Sequence, residues 1–393
     1  MPLRPHQKKA LESMARNNKG QVIVPTGGGK TMCMIHDAIK QFDTGWKTIV
    51  VVAPRILLAE QLSSEFLEVI REKYKYVQVM HVHSGETSHY SSTKLEDVYW
   101  WHKSCKGNKI IFTTYHSLDK VKRSTIDVDT IYFDEAHNSV QRNFFPAVEH
   151  FATDWSNRCF FFTATPKHSF TVKRAGMNNR DVYGDVIVNV PAPKLVDQGY
   201  ILPPKVEVYK SRLLRKDEIY SEVESEQMLS AIDRLDVDKV LICAKSTKQI
   251  VNLTSQSDFC YELNVRGYSW MYITAKTGAI IDGKKVGRDK FFEVLNAWGK
   301  DDNKKFVVLH HSILAEGINV KGLEAALFMR NMDYITISQT IGRVIRLGNA
   351  KKTHGKVCVP VYNNVGISTA RKVEAVVDTV FNQGQPAISV ITR

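Results

Sequence analysis

A glycine-rich segment between an apolar run and a helical pattern is the feature that most restricts the fold of this chain. Residues 25–31 read PTGGGKT, behind the β-branched run 21–24 and ahead of a helix-like pattern over 31–42. Consecutive glycines let the backbone turn tightly with its N–H groups directed at one anion. Lys30 can then reach the β- and γ-phosphates of a nucleotide, and the Thr31 hydroxyl can coordinate Mg²⁺. The segment predicts a phosphate-binding loop at a helix N-terminus.

One position departs from the usual form of such a loop. The pattern G-x-x-x-x-G-K-[ST] requires glycine at position 24, where this chain has Val24. A glycine-rich turn that binds no nucleotide is therefore the alternative interpretation of this segment. A second motif is needed to choose between the two.

An acidic pair behind another apolar run supplies that motif. Residues 130–137 read TIYFDEAH, so that a β-rich run ends in Asp134 and Glu135. A carboxylate such as Asp134 can hold Mg²⁺, directly or through water, and Glu135 can orient and deprotonate an attacking water. An acidic pair after a strand can also be a solvated turn. Downstream of a phosphate-binding loop, the pair predicts hydrolysis of a nucleoside triphosphate.

Composition restricts the class of protein. A length of 393 residues is sufficient for two domains, and a net charge of +13 suits a polyanionic partner. No apolar run approaches the roughly 20 residues of a membrane span, and the N-terminus has no signal-peptide core. We therefore expect a cytoplasmic protein of a bacterial or phage-infected cell, with no targeting signal and no membrane contact. The six cysteines have no C-x-x-C spacing, which predicts reduced thiols instead of disulfides or a cysteine zinc site.

Both halves of the chain alternate strand-like and helix-like segments, which predicts α/β architecture with parallel sheets covered by helices. Predicted strands of the first half are residues 21–24, 48–53, 77–81, 109–113, 130–133 and 158–163. Those of the second half are residues 239–244, 271–274, 306–311, 325–329 and 357–362. Because ligands collect at the carboxyl ends of parallel strands, we expect PTGGGKT, DEAH and the TATP of residues 163–166 at one edge of the first sheet.

A proline-rich stretch separates the halves. Residues 183–204 predict a connector that ends in an exposed strand, and residues 215–235 predict a charged helix. The predicted domains are an ATP-binding lobe at 1–190, a connector with its helix at 191–238, and a second lobe at 239–393.

The second half has no phosphate-binding loop, but it carries a basic motif. QTIGRVIR, residues 339–346, places Gln339, Arg343 and Arg346 at i, i+4 and i+7, one face of a predicted helix. Guanidinium groups bind oxyanions in a bidentate manner, so a phosphate partner is expected. An exposed basic helix without a ligand is the alternative.

Taken in order, these segments resemble the motifs of superfamily 2 helicases of the DEAD/DEAH type along nearly the whole chain. LRPHQ (3–7) resembles the adenine-sensing element, APRILLAEQ (53–61) motif Ia, FTTYHSL (112–118) a nucleic-acid motif, ICAKS (242–246) motif IV and SILAEGINV (312–320) motif V. Within this superfamily, the motifs of the chain most resemble those of phage UvsW-like helicases and of the helicase motors of type I–III restriction enzymes. Motif VI of DEAH-type RNA helicases differs from this chain at Thr340, Val344 and Ile345, and motif V usually has Asp where this chain has Asn319.

The resemblance implies two tandem RecA-like parallel-sheet lobes with the ATP site in the interlobe cleft, and roles for individual residues. Nucleotide binding is implied for Arg4, Gln7, Pro25, Thr26, Gly27, Gly28, Gly29, Lys30, Thr31, Gly317, Asn319 and Gln339. The implied catalytic residues are Lys30, Glu135, Arg343 and Arg346, and the Mg²⁺ ligands Thr31 and Asp134. Coupling is implied for His137, Thr163 and Thr165, and nucleic-acid contact for Arg55, Thr113, Thr114 and Lys245.

The implied function is an ATP- and Mg²⁺-dependent helicase or translocase that remodels branched or duplex DNA in recombination, repair or replication. DNA is favoured over RNA as the partner, mainly through phosphate contacts without base readout. An RNA helicase and a motor subunit of a restriction or nuclease complex are the alternatives. Protein partners from recombination, repair or nuclease complexes are a further expectation.

Overall fold

The computed structural model describes residues 2–210, 219–274, 276–311, 320, 322–348, 352–361 and 364–391, without the side chains of residues 155, 210, 364 and 365. The chain forms two compact units, one of Met1–Val190 with Ile388–Arg393 and one of Pro191–Ala387. No helix in the described part of the chain is long and apolar enough to cross a bilayer.

The strands are β1 (Lys19–Ile23), β2 (Thr48–Ala53), β3 (Gln78–Val82), β4 (Tyr90–Ser91), β5 (Lys109–Thr114), β6 (Val128–Phe133), β7 (Ser156–Thr163), β8 (Lys167–Ser169), β9 (Val186–Asn189), β10 (Pro204–Lys210), β11 (Lys239–Cys243), β12 (Ser269–Thr274), β13 (Gly278–Ile281), β14 (Lys284–Val286), β15 (Phe306–His310), β16 (Ala325–Phe328), β17 (Gly355–Val361) and β18 (Ser389–Ile391).

The helices are α1 (Pro5–Arg16), α2 (Lys30–Phe42), α3 (Ile56–Lys73), α4 (Leu95–Ser104), α5 (Leu118–Arg123), α6 (Phe145–His150), α7 (Arg180–Tyr183), α8 (Ala192–Asp197), α9 (Tyr220–Leu235), α10 (Thr247–Ser255), α11 (Phe259–Val265), α12 (Arg288–Lys300), α13 (Tyr334–Val344) and α14 (Asn364–Val377). Short helical turns occur at Ala136–Asn138, Phe151–Trp155 and Asp378–Asn382.

The first unit is built on an eight-stranded parallel sheet in the order β4-β3-β5-β2-β6-β7-β1-β9. Its central strands are buried along nearly their whole length, and Val50 pairs with Ile111 on one side and with Ile131 on the other. Such continuous apolar runs are typical of parallel strands covered on both faces. Strands β1, β6 and β7 therefore present their following loops at one edge of the sheet, and the predicted α/β class is confirmed.

The second unit contains another eight-stranded sheet, in the order β10-β17-β16-β11-β15-β12-β13-β14. Its strands are parallel except for the β13–β14 hairpin at one edge. Strand β10 and helix α9, which we expected in a connector, belong to this unit, where Met228 and Ile232 of α9 lie in the core. All of the predicted strands are present, with ends within two residues of those expected. Short edge strands such as β4 and β14 were missed because they bury too few side chains to produce an apolar pattern. Strand β9 is an apolar run, VIVN, but it lies in the segment that we interpreted as a connector.

Asp37 of α2 connects the helix after the glycine-rich segment to the rest of the first unit. Both carboxylate oxygens accept from the Arg158 guanidinium of β7, at 2.7 and 3.0 Å, and Tyr132 of β6 donates its hydroxyl to Asp37 Oδ2 at 2.6 Å. Arg158 Nη2 also donates to the Met14 carbonyl of α1 at 2.9 Å. Asp37 is 1 % exposed, so the charge is fully paired inside the fold. A bidentate, buried pair of this kind is a strong determinant of geometry.

Asp37→Asn should destabilise the first unit by about 3–5 kcal/mol, because the substitution leaves the buried Arg158 charge without its partner. Urea unfolding measures this loss. The matched control is Asp185→Asn, which removes the exposed partner of Arg180 and should cost no more than about 1 kcal/mol. Equal effects of the two substitutions would contradict the structural role of Asp37.

Candidate nucleotide-binding site

The first turn of α1 holds the glycine-rich loop through three successive carbonyl groups. The bonds join Arg4 Nη1 to Gly27 O at 3.2 Å, His6 Nε2 to Gly28 O at 2.7 Å and Gln7 Nε2 to Gly29 O at 3.2 Å. A carbonyl only accepts, so His6 Nε2 is the protonated nitrogen. Because C=O and N–H point in opposite directions across a trans peptide, carbonyls turned towards α1 direct the N–H groups of Gly29 and Lys30 away from it. The loop can therefore offer these donors to an anion.

Gly29 is required by both its backbone and its surroundings. Gly27 and Gly29 have φ of +85°, in the left-handed region that glycine adopts without strain. A Cβ on Gly29 would lie 2.4 Å from Gln7 Nε2. Gly29 also precedes the first residue of α2, whose N-terminus has no side-chain cap. An uncapped helix N-terminus leaves backbone donors for a phosphate.

Val24 shows why the missing glycine is tolerated. Its side chain is fully buried, and its N–H donates to the Thr163 carbonyl at 3.1 Å, so that the residue extends the pairing of β1 with β7. Its φ is not positive. This backbone conformation suits a β-branched residue, and nothing in it requires glycine.

The acidic pair after β6 lies next to the loop lysine. Lys30 Nζ donates to Glu135 Oε1 at 2.8 Å, with both side chains mostly buried. Tyr115 donates its hydroxyl to the Asp134 carbonyl at 2.9 Å and thereby fixes the backbone at this point. The structure thus brings the predicted phosphate-binding lysine and the predicted catalytic carboxylate together, although 105 residues separate them in sequence.

Glu135 has an unusual backbone conformation. Its φ is +45°, which a residue with a long side chain rarely adopts. Asn138 holds this conformation, since both its backbone N–H and its side-chain amide donate to the Glu135 carbonyl at 3.0 Å. Strained residues that the surroundings enforce are concentrated at functional sites.

His137 links the acidic pair to the segment after β7. Its Nδ1 lies 3.1 Å from the Thr163 hydroxyl, 3.3 Å from the Thr165 hydroxyl and 3.6 Å from Glu135 Oε2. Thr165 N also donates to Thr163 Oγ1 at 3.0 Å. All three predicted coupling residues are buried and form one network that begins at the candidate base.

The oxygen ligands at this edge of the sheet suit Mg²⁺, which prefers carboxylate and hydroxyl oxygens. Asp134 is 8 % exposed, and burial, together with the neighbouring Glu135 charge, raises the pKa of its carboxyl to about 7 although Lys30 opposes the shift. A buried carboxylate of this kind gains from a cation beside it. The buried Thr26 hydroxyl has no hydrogen-bond partner among the described residues, as expected of a group that awaits a ligand. Thr31 and Asp134 would hold the ion.

The predicted arginines lie in the second unit. Arg343, on α13, is 4 % exposed. Its positive charge contributes a lowering of the pKa of Cys243 and of His310, the last residues of β11 and β15, although burial raises the pKa of the Cys243 thiol overall. Gln339 is buried on the same helix. Arg346 does not share the helix face that we expected, because α13 ends at Val344.

A distant segment binds the chain at this helix end. The Ile345 carbonyl, which has no partner within the helix, accepts from Leu202 N, at the approach to β10, at 2.7 Å. Gly317 and Asn319, predicted to contact the nucleotide, lie outside the described residues.

The four predicted nucleic-acid contacts differ in accessibility. Arg55 and Lys245 are exposed, at the start of α3 and just after β11. Thr113 is fully buried and donates its hydroxyl to the Val82 carbonyl at 2.8 Å, while Thr114 is 3 % exposed. The two threonines therefore shape the end of β5, and only Arg55 and Lys245 present charge to solvent.

Sequence reasoning missed His6, Asn138 and Tyr115, which support the site without belonging to a phosphate or carboxylate motif. His6 stands inside the LRPHQ segment, between the two residues that were singled out, and this position was a usable signal. The side chains of Asn138 and Tyr115 donate hydrogen bonds to backbone carbonyl groups, and no sequence pattern predicts such a contact.

Asp134→Asn should stabilise the protein at pH 8 and stabilise it less at pH 5. The pKa of this carboxyl is raised from 3.8 in the unfolded chain to about 7 in the fold, so the carboxyl costs stability progressively as pH rises between these two values, and the full loss is reached above pH 7. Thermal unfolding of both proteins at the two pH values measures the difference. Destabilisation at pH 8 would show that the Asp134 charge is favourably paired in the empty site.

Residues 1–168 match the family model described as "Type III restriction enzyme, res subunit". No curated protein sequence shows a significant match to the chain. Among solved structures, the DNA-bound type ISP restriction-modification enzyme LlaBIII is 17 % identical, with a TM-score of 0.74 over 100 % of this chain and 31 % of that chain. A putative HsdR subunit of a type I restriction enzyme from Vibrio vulnificus YJ016 is 14 % identical, with a TM-score of 0.62 over 98 % of this chain and 67 % of that one.

Dbp5 of S. cerevisiae, bound to RNA and ADP BeF3, is 15 % identical, with a TM-score of 0.62 over 99 % of this chain and 89 % of that chain. The chain spans about a third of the length of the type ISP enzymes that it matches. Both sheets have the parallel α/β arrangement of the RecA-like lobes in these proteins. Residues 1–168, which contain the glycine-rich loop and the acidic pair, are therefore similar to the res subunit family of type III restriction enzymes, and the whole chain has the fold of these solved structures.

Proposed function

We propose that the chain is a nucleic-acid-dependent ATPase that translocates on or unwinds DNA. The observation that carries this proposal is the group of Lys30, Asp134 and Glu135 beside a glycine-rich loop that α1 holds by its carbonyls. Phosphoryl transfer depends chiefly on positioning and charge stabilisation, and these residues supply both. The similarity of residues 1–168 to a restriction-enzyme subunit, and the fold shared with Dbp5 and the type I and type ISP enzymes, support the same function.

In the proposed reaction, Lys30 and the loop N–H groups bind the β- and γ-phosphates. Thr31 and Asp134 hold Mg²⁺, which neutralises charge on the phosphate oxygens. Glu135 orients the attacking water and accepts its proton. Pro25, Thr26 and the three glycines line the phosphates, and Arg4 and Gln7 contact the base in addition to holding the loop.

The ion pair of Lys30 with Glu135 links the proposed base to the proposed phosphate-binding lysine. At 2.8 Å the ammonium group occupies one oxygen of the carboxylate that would activate water. Triphosphate competes for the same ammonium group, so ATP binding would release Glu135 at the moment when a base is needed. His137 would sense this change, because it lies 3.6 Å from Glu135 Oε2 and contacts both threonine hydroxyls.

We propose that the second unit completes the reaction. Arg343 and Arg346 would stabilise charge on the γ-phosphate in the transition state, with Gln339, Gly317 and Asn319 beside the nucleotide. The lobe limits expected from the sequence, the position of the ATP site in a cleft, and cytoplasmic localisation remain predictions.

DNA is the nucleic acid on which we propose that the motor acts. The matching family model describes a restriction-enzyme subunit, and two of the similar structures are restriction-modification enzymes in complex with DNA or a DNA substrate mimic. Exposed Arg55 and Lys245, with Thr113 and Thr114 positioning the end of β5, would contact the phosphate backbone. Roles in recombination, repair or replication, and partner proteins from such complexes, are part of this proposal.

RNA is the second candidate substrate for the motor. The structure of Dbp5 in complex with RNA matches 99 % of this chain, and the match covers 89 % of that chain. A motor subunit of a restriction or nuclease complex is the third candidate, because the chain corresponds to about a third of each type ISP enzyme.

Glu135→Gln should lower ATP turnover by at least about 100-fold and leave ATP affinity nearly unchanged, because the amide cannot accept a proton. Steady-state phosphate release and equilibrium nucleotide binding measure the two effects. Glu149→Gln, an exposed acid on the same unit, is the control and should behave as wild type. Turnover within tenfold of wild type in Glu135→Gln would exclude this residue as the base.

DNA should stimulate the ATPase more than RNA of the same sequence, and the DNA concentration for half-maximal stimulation should rise roughly tenfold or more between about 50 and 200 mM salt. The salt effect follows from counterion release at the phosphates that basic side chains contact. Titrations with matched single-stranded, duplex and forked DNA and RNA make the comparison. Stronger stimulation by RNA favours the second candidate, whereas indifference to both polymers rejects a nucleic-acid-driven motor.

A further inference from the structure

Three side chains of metal-ligand type converge in the first unit, outside the nucleotide-binding site. Glu60 lies on α3, His81 on β3, and His83 follows the end of that strand. One ligand atom of each lies within 4.8 Å of the other two. His81 Nδ1 is 2.9 Å from His83 Nε2, and Glu60 Oε1 is 3.4 Å from both nitrogens. The three atoms therefore form a compact triangle.

The size of this triangle suits zinc. Zinc bonds to histidine nitrogen and carboxylate oxygen are about 2.0–2.2 Å long, so ligand atoms around a tetrahedral ion are about 3.3–3.5 Å apart. Both distances from Glu60 have this value, and the distance between the two histidine nitrogens needs to increase by about half an ångström. Two histidines and one glutamate are a known zinc ligand set that leaves the fourth position open.

The hydrogen bonds of the ring nitrogens that would not bind a metal show which tautomer each histidine has. His81 Nε2 lies 3.0 Å from the Ser63 hydroxyl, so this nitrogen can donate there while Nδ1 binds a metal. His83 Nδ1 accepts from Gly85 N at 3.2 Å, which in the metal-free protein leaves its proton on Nε2. Metal binding would shift that proton to Nδ1 and end the contact with Gly85. One ring is thus already in the tautomer that a metal requires, and the other must change.

Burial argues that the cluster is more than a surface group. His81 and His83 are 0 % and 2 % exposed, and Glu60 Oε1 is buried with no hydrogen-bond partner among the described residues. An unpartnered buried carboxylate oxygen is costly unless something occupies its lone pairs. The Glu60 side chain as a whole is 28 % exposed, so solvent and an ion can approach from its side.

The cluster is separate from the nucleotide-binding site. Strand β3 stands next to the edge strand β4, and four strands lie between β3 and β1, which leads into the glycine-rich loop. The cluster of Glu60, His81 and His83 is instead close to the predicted nucleic-acid contacts. Thr113 of β5 donates to Val82, between the two histidines, and a Cβ on Gly85 would lie 2.4 Å from Ile56 in the first turn of α3.

We propose that Glu60, His81 and His83 bind one zinc-class divalent cation, with the fourth coordination position open to solvent. The ion would tie the end of β3 and the loop that follows it to α3, the helix that begins beside Arg55. Its role would be to hold this side of the first unit in one arrangement. The alternative is a metal-free hydrogen-bonded trio that serves only packing.

The test is zinc binding by the whole chain, freed of any affinity tag and stripped with a chelator. Titration against a chromophoric zinc indicator should show one tight equivalent per chain. His83→Gln should lower the affinity at least about 100-fold, Glu60→Gln about 10- to 100-fold, and Ser63→Ala about tenfold through the orientation of His81. His102→Gln is the matched control, a buried histidine that bonds the Thr48 hydroxyl elsewhere in the unit and should not change the affinity.

Two further readouts distinguish a site from loss of folding. At one zinc concentration, zinc should raise the unfolding temperature of the wild-type protein and of His102→Gln by the same amount, and that of Glu60→Gln, whose amide preserves the shape of the side chain, by less. Cobalt should give a tetrahedral visible spectrum that His83→Gln lacks. Absence of a stoichiometric tight site in the wild-type chain, or equal affinity in His83→Gln, would overturn the proposal. Neither outcome bears on ATP hydrolysis, which is measured separately with Mg²⁺.

Discussion

Asp37 forms the buried polar contact that joins α2, the helix after the glycine-rich loop, to strands β6 and β7. Its carboxylate receives the Arg158 guanidinium and the Tyr132 hydroxyl, so α2, β6 and β7 are held at one buried point. These are the elements that carry or precede the glycine-rich loop, the acidic pair and the TATP segment. Because the strands are parallel, fixing them at this point also fixes the relative positions of the loops at their carboxyl ends. The geometry of Lys30 and Glu135 depends on this arrangement.

The site itself is not arranged for maximum stability. Asp134 is a buried carboxyl next to a second acid, and Glu135 is held at a positive φ by Asn138. Both features cost free energy. We propose that the first is offset when Mg²⁺ binds and that the second orients Glu135 towards the attacking water. Lys30 forms an ion pair with Glu135 at 2.8 Å, and a triphosphate would compete for the same ammonium group.

The sequence was sufficient for the central strands and for the meeting of Lys30 with the acidic pair, because apolar runs and motif order report on strands that are buried on both faces. The sequence was less informative about the strands at the edges of the sheets and about the ends of helices. Strand β14 buries almost nothing. The helix that carries Arg343 ends at Val344, where the Ile345 carbonyl accepts from Leu202 N, a contact between distant segments that no local pattern encodes. Supporting residues that act on carbonyls were missed for the same reason.

We propose above all that the site around Lys30 binds and hydrolyses ATP. Single-turnover phosphate release by the wild-type chain and by Lys30→Ala, with Mg²⁺ and saturating DNA, is the decisive measurement. We expect phosphate release by the wild-type chain and a loss of at least about 100-fold in Lys30→Ala, since the ammonium group would stabilise the transferred phosphoryl group. Equal release by the two proteins, or none by the wild-type chain despite bound ATP, would contradict it.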